Sequence, residues 1–296
     1  MSKRQKSELA YKIHKAWISQ SFANAATTYD NAAVLQREVA NRLFARLEYI
    51  QLSPESILDL GSGTGYCSHL LERRFKKAPI YSLDISHGML KYARSKDSFF
   101  KKIRGQKKYL CGDAELMPLK DEMCDMVFSS LAFQWCFDLD KTFSDIRRVI
   151  KPGGLLMFSS LGPDTLKELR ESWKTVDEHA HVNAFIDMHD IGDALMRAGF
   201  ADPVMDVENI TLTYSSVKSL MKDLKQLGSR NALQGRQAGL MGKQKINNMI
   251  AAYERFRKEG VLPATYEVVY GHAWIPEAGV RPSKLENGFP IPVRSQ

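Results

Sequence analysis

The stretch "ILDLGSGTG" (57–65) places an acid, Asp59, just ahead of three glycines at alternate positions, Gly61, Gly63 and Gly65. An apolar run passing into glycines predicts the end of a strand and the start of a helix. Glycines there let the backbone turn tightly and let a ligand approach without meeting a Cβ. Their spacing discriminates between ligands. The dinucleotide fingerprint G-x-G-x-x-G needs its third glycine at position 66, where Tyr66 stands. Asp84 closes the second apolar run, "PIYSLDI", and a carboxylate at that place can accept both hydroxyls of a ribose. Asp113, in "GDAELMPL", comes after the third run, and "SSLAFQWCFDL" (129–139) comes after the fourth with an amide, an indole and a thiol in succession at Gln134, Trp135 and Cys136. No nucleophile stands beside a recognisable base. His179, His181, His189 and Asp190 have a spacing that fits no metal-ligand set, so exposed or capping roles are preferred and no metal is expected.

These residues need a frame that brings strand ends together. From 56 to 161 the chain alternates short apolar runs ("SILDLG", "PIYSLDI", "KKYLCGD", "CDMVFSS", "GGLLMFSSL") with helical patterns, which predicts a mostly parallel sheet covered on both faces. Residues 5–50 read as helices, with apolar spacing at Val34, Val39, Leu43 and Leu47. "GPDTLKELRESWKTV" predicts a helix with Pro163 at an early position, and "MHDIGDALMRAGF" one closed by Gly199. "PVMDVENITLTY" alternates as an antiparallel strand, and "LPATYEVVYGHAW" fits a late strand of the same sheet. The expected organisation is N-terminal helices covering the site (1–50), a ligand-binding core (51–162), remaining core elements with a helical lid and a basic segment (163–274), and an irregular tail from Ile275 (275–296).

With 296 residues, 44% of them hydrophobic, the chain can bury a large core. No apolar run has the eighteen or so residues a membrane span requires, and the basic N-terminus lacks the apolar core of a secretion signal, so a soluble cytoplasmic protein is expected. A mitochondrial presequence is the alternative, and Glu8 weighs against it. The four cysteines form no C-x-x-C pair, which points to free thiols in a reducing compartment. Charge is concentrated. Lys218 to Lys258 holds ten Lys or Arg against two acids, an excess equal to the +8 of the whole chain. Such a segment is either a pair of solvated helix faces or a surface that steers an acidic partner.

The G-x-G-x-G loop preceded by an acid, Asp84, "GDAELMPL" and the "KPGG" turn before the fifth run resemble the class I methyltransferases that bind S-adenosylmethionine. That resemblance implies an α/β, Rossmann-like class I methyltransferase fold with a mostly parallel seven-stranded sheet, helices on both faces and helical lid elements. It implies a cofactor site made by Asp59, Gly61, Gly63, Gly65, Asp84, Met89, Asp113, Ala114 and Ser130, with Asp113 and Ala114 against the adenine. The flanks narrow it. "SFANAATTYDNAAVLQREVANRL", "LAFQWCFDL", "HVNAFIDMHDI", "LKQLGSRNALQGR" and "LPATYEVVYGHAW" together resemble the malonyl-[acyl-carrier protein] O-methyltransferases of biotin synthesis, from about Ser21 to Trp274.

The narrower resemblance implies methylation of the free carboxylate of a malonyl thioester. A carboxylate is already an anion at neutral pH and needs no general base, so alignment and exclusion of water are the enzyme's tasks. Tyr29, Gln134 and Trp135 are the candidate neutral donors that orient it; packing beneath the lid is the competing role for Trp135, and contact with the cofactor for Tyr29. Lys222, Lys225, Arg230 and Arg236 are the candidate contacts to the acidic carrier protein, with Arg147 and Arg148 as outside candidates. Neither a nucleic acid nor a membrane partner is expected, and oligomeric state is left open. The late elements are also similar to a mitochondrial complex I assembly factor that hydroxylates an arginine, which is the rival activity. A nucleic-acid methyltransferase is disfavoured because no aromatic residues interleave Lys218 to Lys245, and a catalytically silent scaffold is the remaining alternative.

Overall fold

The computed structural model describes residues 3–98, 107–179, 181–228 and 242–277, with side chains from Lys15 onward. The strands are β1 (Ile57–Leu60), β2 (Ile80–Asp84), β3 (Lys107–Cys111), β4 (Cys124–Ser130), β5 (Ile150–Leu161), β6 (Ala201–Tyr214) and β7 (Leu262–Trp274). They form one sheet in the order β3-β2-β1-β4-β5-β7-β6. All pairs from β3 to β5 are parallel, and β7 runs antiparallel to both β5 and β6. The order reverses between β1 and β4. A crevice therefore opens outside their carboxyl ends, which is where doubly wound sheets bind ligands.

The described helices are α1 (Lys3–Ala32), α2 (Val34–Arg46), α3 (Tyr66–Arg74), α4 (His87–Ser95), α5 (Leu139–Val149), α6 (Lys167–Lys174), α7 (Met188–Arg197), α8 (Val217–Gln226) and α9 (Lys243–Tyr253). The near-continuous apolar strands reflect burial on both faces. Ile57, Met126, Phe128 and Leu155 pack with α2, α3, α6, α8 and α9 on one side, while Leu58, Val127, Leu156 and Phe158 pack with α5 and α7 on the other. Gly199, with φ +85°, ends α7 in the left-handed conformation expected of a C-terminal glycine.

Three expectations change. The buried stripe of α2 is Leu35, Val39, Ala40 and Leu43, and Val34 is 54% exposed. Val39, Leu43 and Leu47 are buried as the spacing expects, and of the four only Val34, the first residue of α2, faces solvent. Next, α6 begins at Lys167 and leaves Pro163 outside it, because Leu166 takes φ +54° and turns its N–H to Thr265 O; Gly162 and Asp164 likewise donate across to Glu267 O and Glu267 Oε2. Finally, Ile275 is buried and exchanges backbone hydrogen bonds with Gly153 and Gly154, so the ordered ladder runs past the residue at which an irregular tail was expected to begin. Among the described residues, no helix is long and apolar enough to cross a membrane.

Helix α1 lies across the crevice. Ser19 Oγ donates to Ile85 O just after β2, Lys15 reaches Asp113 after β3, and Phe22 meets Trp135 after β4 in an edge-to-face contact with ring centroids 5.2 Å apart. A single helix thus touches the turns after three strands, β2, β3 and β4.

Candidate functional site

Beneath α1 is a cleft bounded by the turns that follow β1, β2, β3 and β4. Ten of the sequence candidates border it: Tyr29, Gly61, Gly63, Asp84, Met89, Asp113, Ala114, Ser130, Gln134 and Trp135. A second chamber adjoins it, sharing Tyr29, Gln36, Gly61, Gly63 and Ser130 and extending along Ser62, Thr64 and Cys67.

The glycine loop is shaped by close approach. Gly61 has φ +74°, and a Cβ there would stand 2.4 Å from the Cβ of Ala132 in the turn after β4. Gly63, with φ +51°, faces open space and turns its N–H to Asp84 Oδ2 at 2.8 Å. Asp84 Oδ1 accepts from Ser86 N at 2.7 Å, so each oxygen of this buried carboxylate has one donor and keeps capacity for another. Burial pushes the Asp84 carboxyl up to about 6, against the two backbone donors that favour its charge.

Two candidates sit elsewhere. Asp59 is buried in β1, and its carboxylate accepts from Ser68 Oγ on α3, whose hydroxyl also pairs with Ser82; burial pushes Asp59 up to about 7. Its position is under the loop rather than on the cleft wall, where it ties α3 to the sheet. Gly65 takes φ +84° as the residue that opens α3 and likewise does not border the cleft.

Asp113 is held by Lys15, which carries no sequence signal of its own. Lys15 Nζ lies 3.0 Å from Asp113 Oδ1, 2.9 Å from Glu115 Oε1 and 3.4 Å from Trp135 O. Glu115 also accepts from Phe137 N at 2.6 Å. One ammonium thus fastens α1 to the turns after β3 and β4. Burial opposes its charge, but Cys136, Glu115 and Asp113 outweigh that and hold the ammonium above its usual range.

Tyr29, Gln36 and Gln134 border the same cleft with uncharged side chains. Burial, with Asp84 nearby, pushes the Tyr29 phenol well above its usual range, so it stays protonated. Gln134 Nε2 donates to Leu131 O at 2.7 Å, and its oxygen is buried without a partner. Gln36 Oε1 and Ser62 Oγ are also buried without partners. Of the four such side-chain atoms among the described residues, these three border the two chambers and only Tyr270 Oη lies elsewhere. A buried polar group left unpaired costs about 1–3 kcal/mol, so their concentration here marks the place where a polar ligand belongs. The sequence signal for Gln36 is slight: a polar residue next to buried Leu35 on α2.

Lys222 and Lys225 are exposed on α8, whose carboxyl end abuts α1: Ser21 Oγ donates to Gly228 O at 2.9 Å, next to Phe22 on the cleft wall. Arg230 and Arg236 lie outside the described residues. Arg148 is engaged by Asp145, Asp121 and two backbone oxygens, and Arg147 donates to Gly199 O. His181 stacks on Trp173 and pairs with Asp177, His179 pairs with Asp177, and His189 pairs with its capping residue Asp187. No His, Cys, Asp and Glu cluster among the described residues could hold a metal ion.

Residues 58–158 match the model of a family described as a methyltransferase domain. The malonyl-[acyl-carrier protein] O-methyltransferase of Gallionella capsiferriformans is 53% identical over 89% of this chain and 92% of its own length. The protein of the same name from Methylovorus sp. is 51% identical over 92% of each chain. Among solved structures, the YcgJ protein of Bacillus subtilis superposes with a TM-score of 0.56 at 13% identity, over 81% of this chain and 99% of its own, a likeness of fold alone.

Proposed function

The chain belongs to the malonyl-[acyl-carrier protein] O-methyltransferase family, and on that premise we propose that it methylates the free carboxylate of a malonyl thioester held on acyl-carrier protein. S-adenosyl-L-methionine is the methyl donor. The product ester masks one charge, which lets the acyl chain be elongated toward pimeloyl for biotin.

The residues present fit the cofactor. Asp84 would receive the ribose hydroxyls on its two remaining acceptor sites, Asp113 and Ala114 would meet the adenine, and the backbone at Gly61 and Gly63 would lie against the methionyl part. The three unpartnered polar atoms around the two chambers are what such a ligand would satisfy. When bound, the cofactor supplies an electrophilic methyl group on a sulfonium.

The protein's share of the chemistry is positioning. The observation that carries this reading is that, among the described residues, the two chambers offer a carboxylate neutral donors and no unengaged cation. Tyr29 remains a phenol, Trp135 offers an indole N–H, and the bordering cations are engaged: Lys15 by Asp113 and Glu115, Lys96 by Asp30, and Arg37 by Asp30 O. A guanidinium clamp would stabilise the carboxylate and blunt its nucleophilicity. Neutral donors can orient it while leaving one oxygen free to attack. Helix α1, seated over the crevice, excludes water, and positioning of this kind is worth roughly 7–11 kcal/mol in favourable systems.

The basic segment fits an acidic partner. Lys222 and Lys225 stand beside the part of α1 that borders the cleft, so a docked carrier protein could deliver its acyl arm beneath that helix. The direct test is formation of S-adenosylhomocysteine with malonyl-carrier protein, run beside oxygen consumption with an arginine peptide. Turnover in the second assay alone would replace this reading with the hydroxylase one.

A further inference from the structure

Two side-chain amide oxygens, Gln36 Oε1 and Gln134 Oε1, border the same cleft, buried and without a donor. They come from distant parts of the chain, Gln36 from the first turn of α2 and Gln134 from the short 3-10 turn Phe133–Trp135. The orientation of Gln134 is determined by its neighbour. Nε2 lies 2.7 Å from Leu131 O, an atom that can only accept, so the oxygen is the end left over for a ligand. Leu131 holds that carbonyl in place with φ +53°, a left-handed conformation that leucine disfavours, and is pinned there by its N–H to Ser159 O at 3.0 Å. Gln36 also borders the second chamber, alongside Ser62 and the glycine loop.

Two acceptors on one space call for a group carrying several N–H donors. At its reacting end the malonyl thioester offers only acceptors. Asp84 and Asp113 are placed for the ribose and adenine donors. What remains is the amino-acid end of the cofactor, which has an ammonium with three protons and belongs on the glycine-loop side where Gln36 sits. Resting on the methyl-transfer reading above, we propose that Gln36 and Gln134 together receive the α-ammonium of the methionyl group and so decide which adenosyl ligands the cleft accepts. Gln134, expected to donate to the substrate, becomes an acceptor for the cofactor.

Isothermal titration of the full chain with S-adenosylhomocysteine and with 5′-methylthioadenosine, which keeps the adenosyl thioether and lacks the amino acid, separates the possibilities. Gln36→Leu and Gln134→Met should each weaken S-adenosylhomocysteine by about tenfold or more while methylthioadenosine changes by no more than about twofold, which also shows that the variants are folded. Gln36→Glu, which keeps an acceptor, should retain S-adenosylhomocysteine. Equal losses for both ligands, no loss for S-adenosylhomocysteine, or an effect confined to the KM of the malonyl thioester would overturn the assignment. If the unmodified chain bound neither adenosyl ligand, the methyl-transfer reading itself would fall, and this inference with it.

Discussion

Replacing Lys15 with methionine removes the ammonium while keeping most of the aliphatic stem, so its effect falls on the charge network that seats α1. The ammonium lies 2.9 Å from Glu115 Oε1 and 3.0 Å from Asp113 Oδ1, and the side chains of Lys15 and Glu115 are 10% and 1% exposed. Deleting one member of a buried pair costs about 3–5 kcal/mol, chiefly because the other charge is stranded. Here Glu115 keeps the Phe137 N–H at 2.6 Å, and Asp113, at 23% exposure, can draw on water, so the expected loss is about 2–3 kcal/mol. At about 2–4 °C per kcal/mol that is a fall in Tm of about 4 °C or more if the loss is global. If it is local, it emerges as faster amide exchange in α1 with the sheet unchanged. The decisive measurement is the cycle of Lys15→Met, Glu115→Gln and the double variant by denaturant unfolding. Neutralising Glu115 removes the stranded charge, so the double variant should be more stable than Lys15→Met alone, with a coupling of at least about 1.5 kcal/mol. A coupling below about 0.5 kcal/mol with both single variants folded would refute the idea that this ammonium fastens the helix.

Gly61→Ala should abolish high-affinity S-adenosylhomocysteine binding and lower stability by roughly 2 kcal/mol or more, since the new Cβ would meet Ala132 Cβ at 2.4 Å in a left-handed residue; titration and melting check both. The pH dependence of cofactor binding should track Asp84, whose folded value of about 6 lies above its ordinary 3.8 because of burial. Ionisation is therefore penalised in the fold, so this group's contribution to stability is lost as pH rises from about 4 to 6, while the ribose-accepting carboxylate is lost as pH falls through 6. Affinity for S-adenosylhomocysteine should be flat above about pH 7 and fall toward pH 5, and a profile unchanged in Asp84→Asn would count against Asp84 as the acceptor. Trp135→Phe should raise the KM for the malonyl thioester severalfold with S-adenosylhomocysteine affinity within about twofold, because it deletes one donor and keeps the ring packed near Phe22. Rising ionic strength should raise the KM for malonyl-carrier protein far more than for malonyl-coenzyme A; equal responses would dismiss the docking role of Lys222 and Lys225.

The parallel core and its glycine loop were legible because their signals are local. A strand buried on both faces reads as an apolar run, and Gly61, Gly63, Asp84 and Asp113 each mark the end of such a run, so sheet topology alone carries them to one crevice. The start of α6 was misplaced because the competing interaction is remote: Thr265, far along the chain, takes the N–H of Leu166 that a helix begun at Pro163 would turn to Gly162 O, and Leu166 adopts φ +54°.

By itself, the sequence determined the family, the fold class and which acids and glycines stand at the strand ends around the cleft, since spacing along one chain is enough to order strand ends. The tertiary structure alone decided that Lys15 reaches 98 residues ahead to Asp113, that Gln36 and Gln134 leave their oxygens unpartnered on one cleft, and that Asp59 turns under the loop to Ser68. Which atom of a side chain is left over depends on the partners that folding brings to its other atoms, and those partners are not neighbours in sequence.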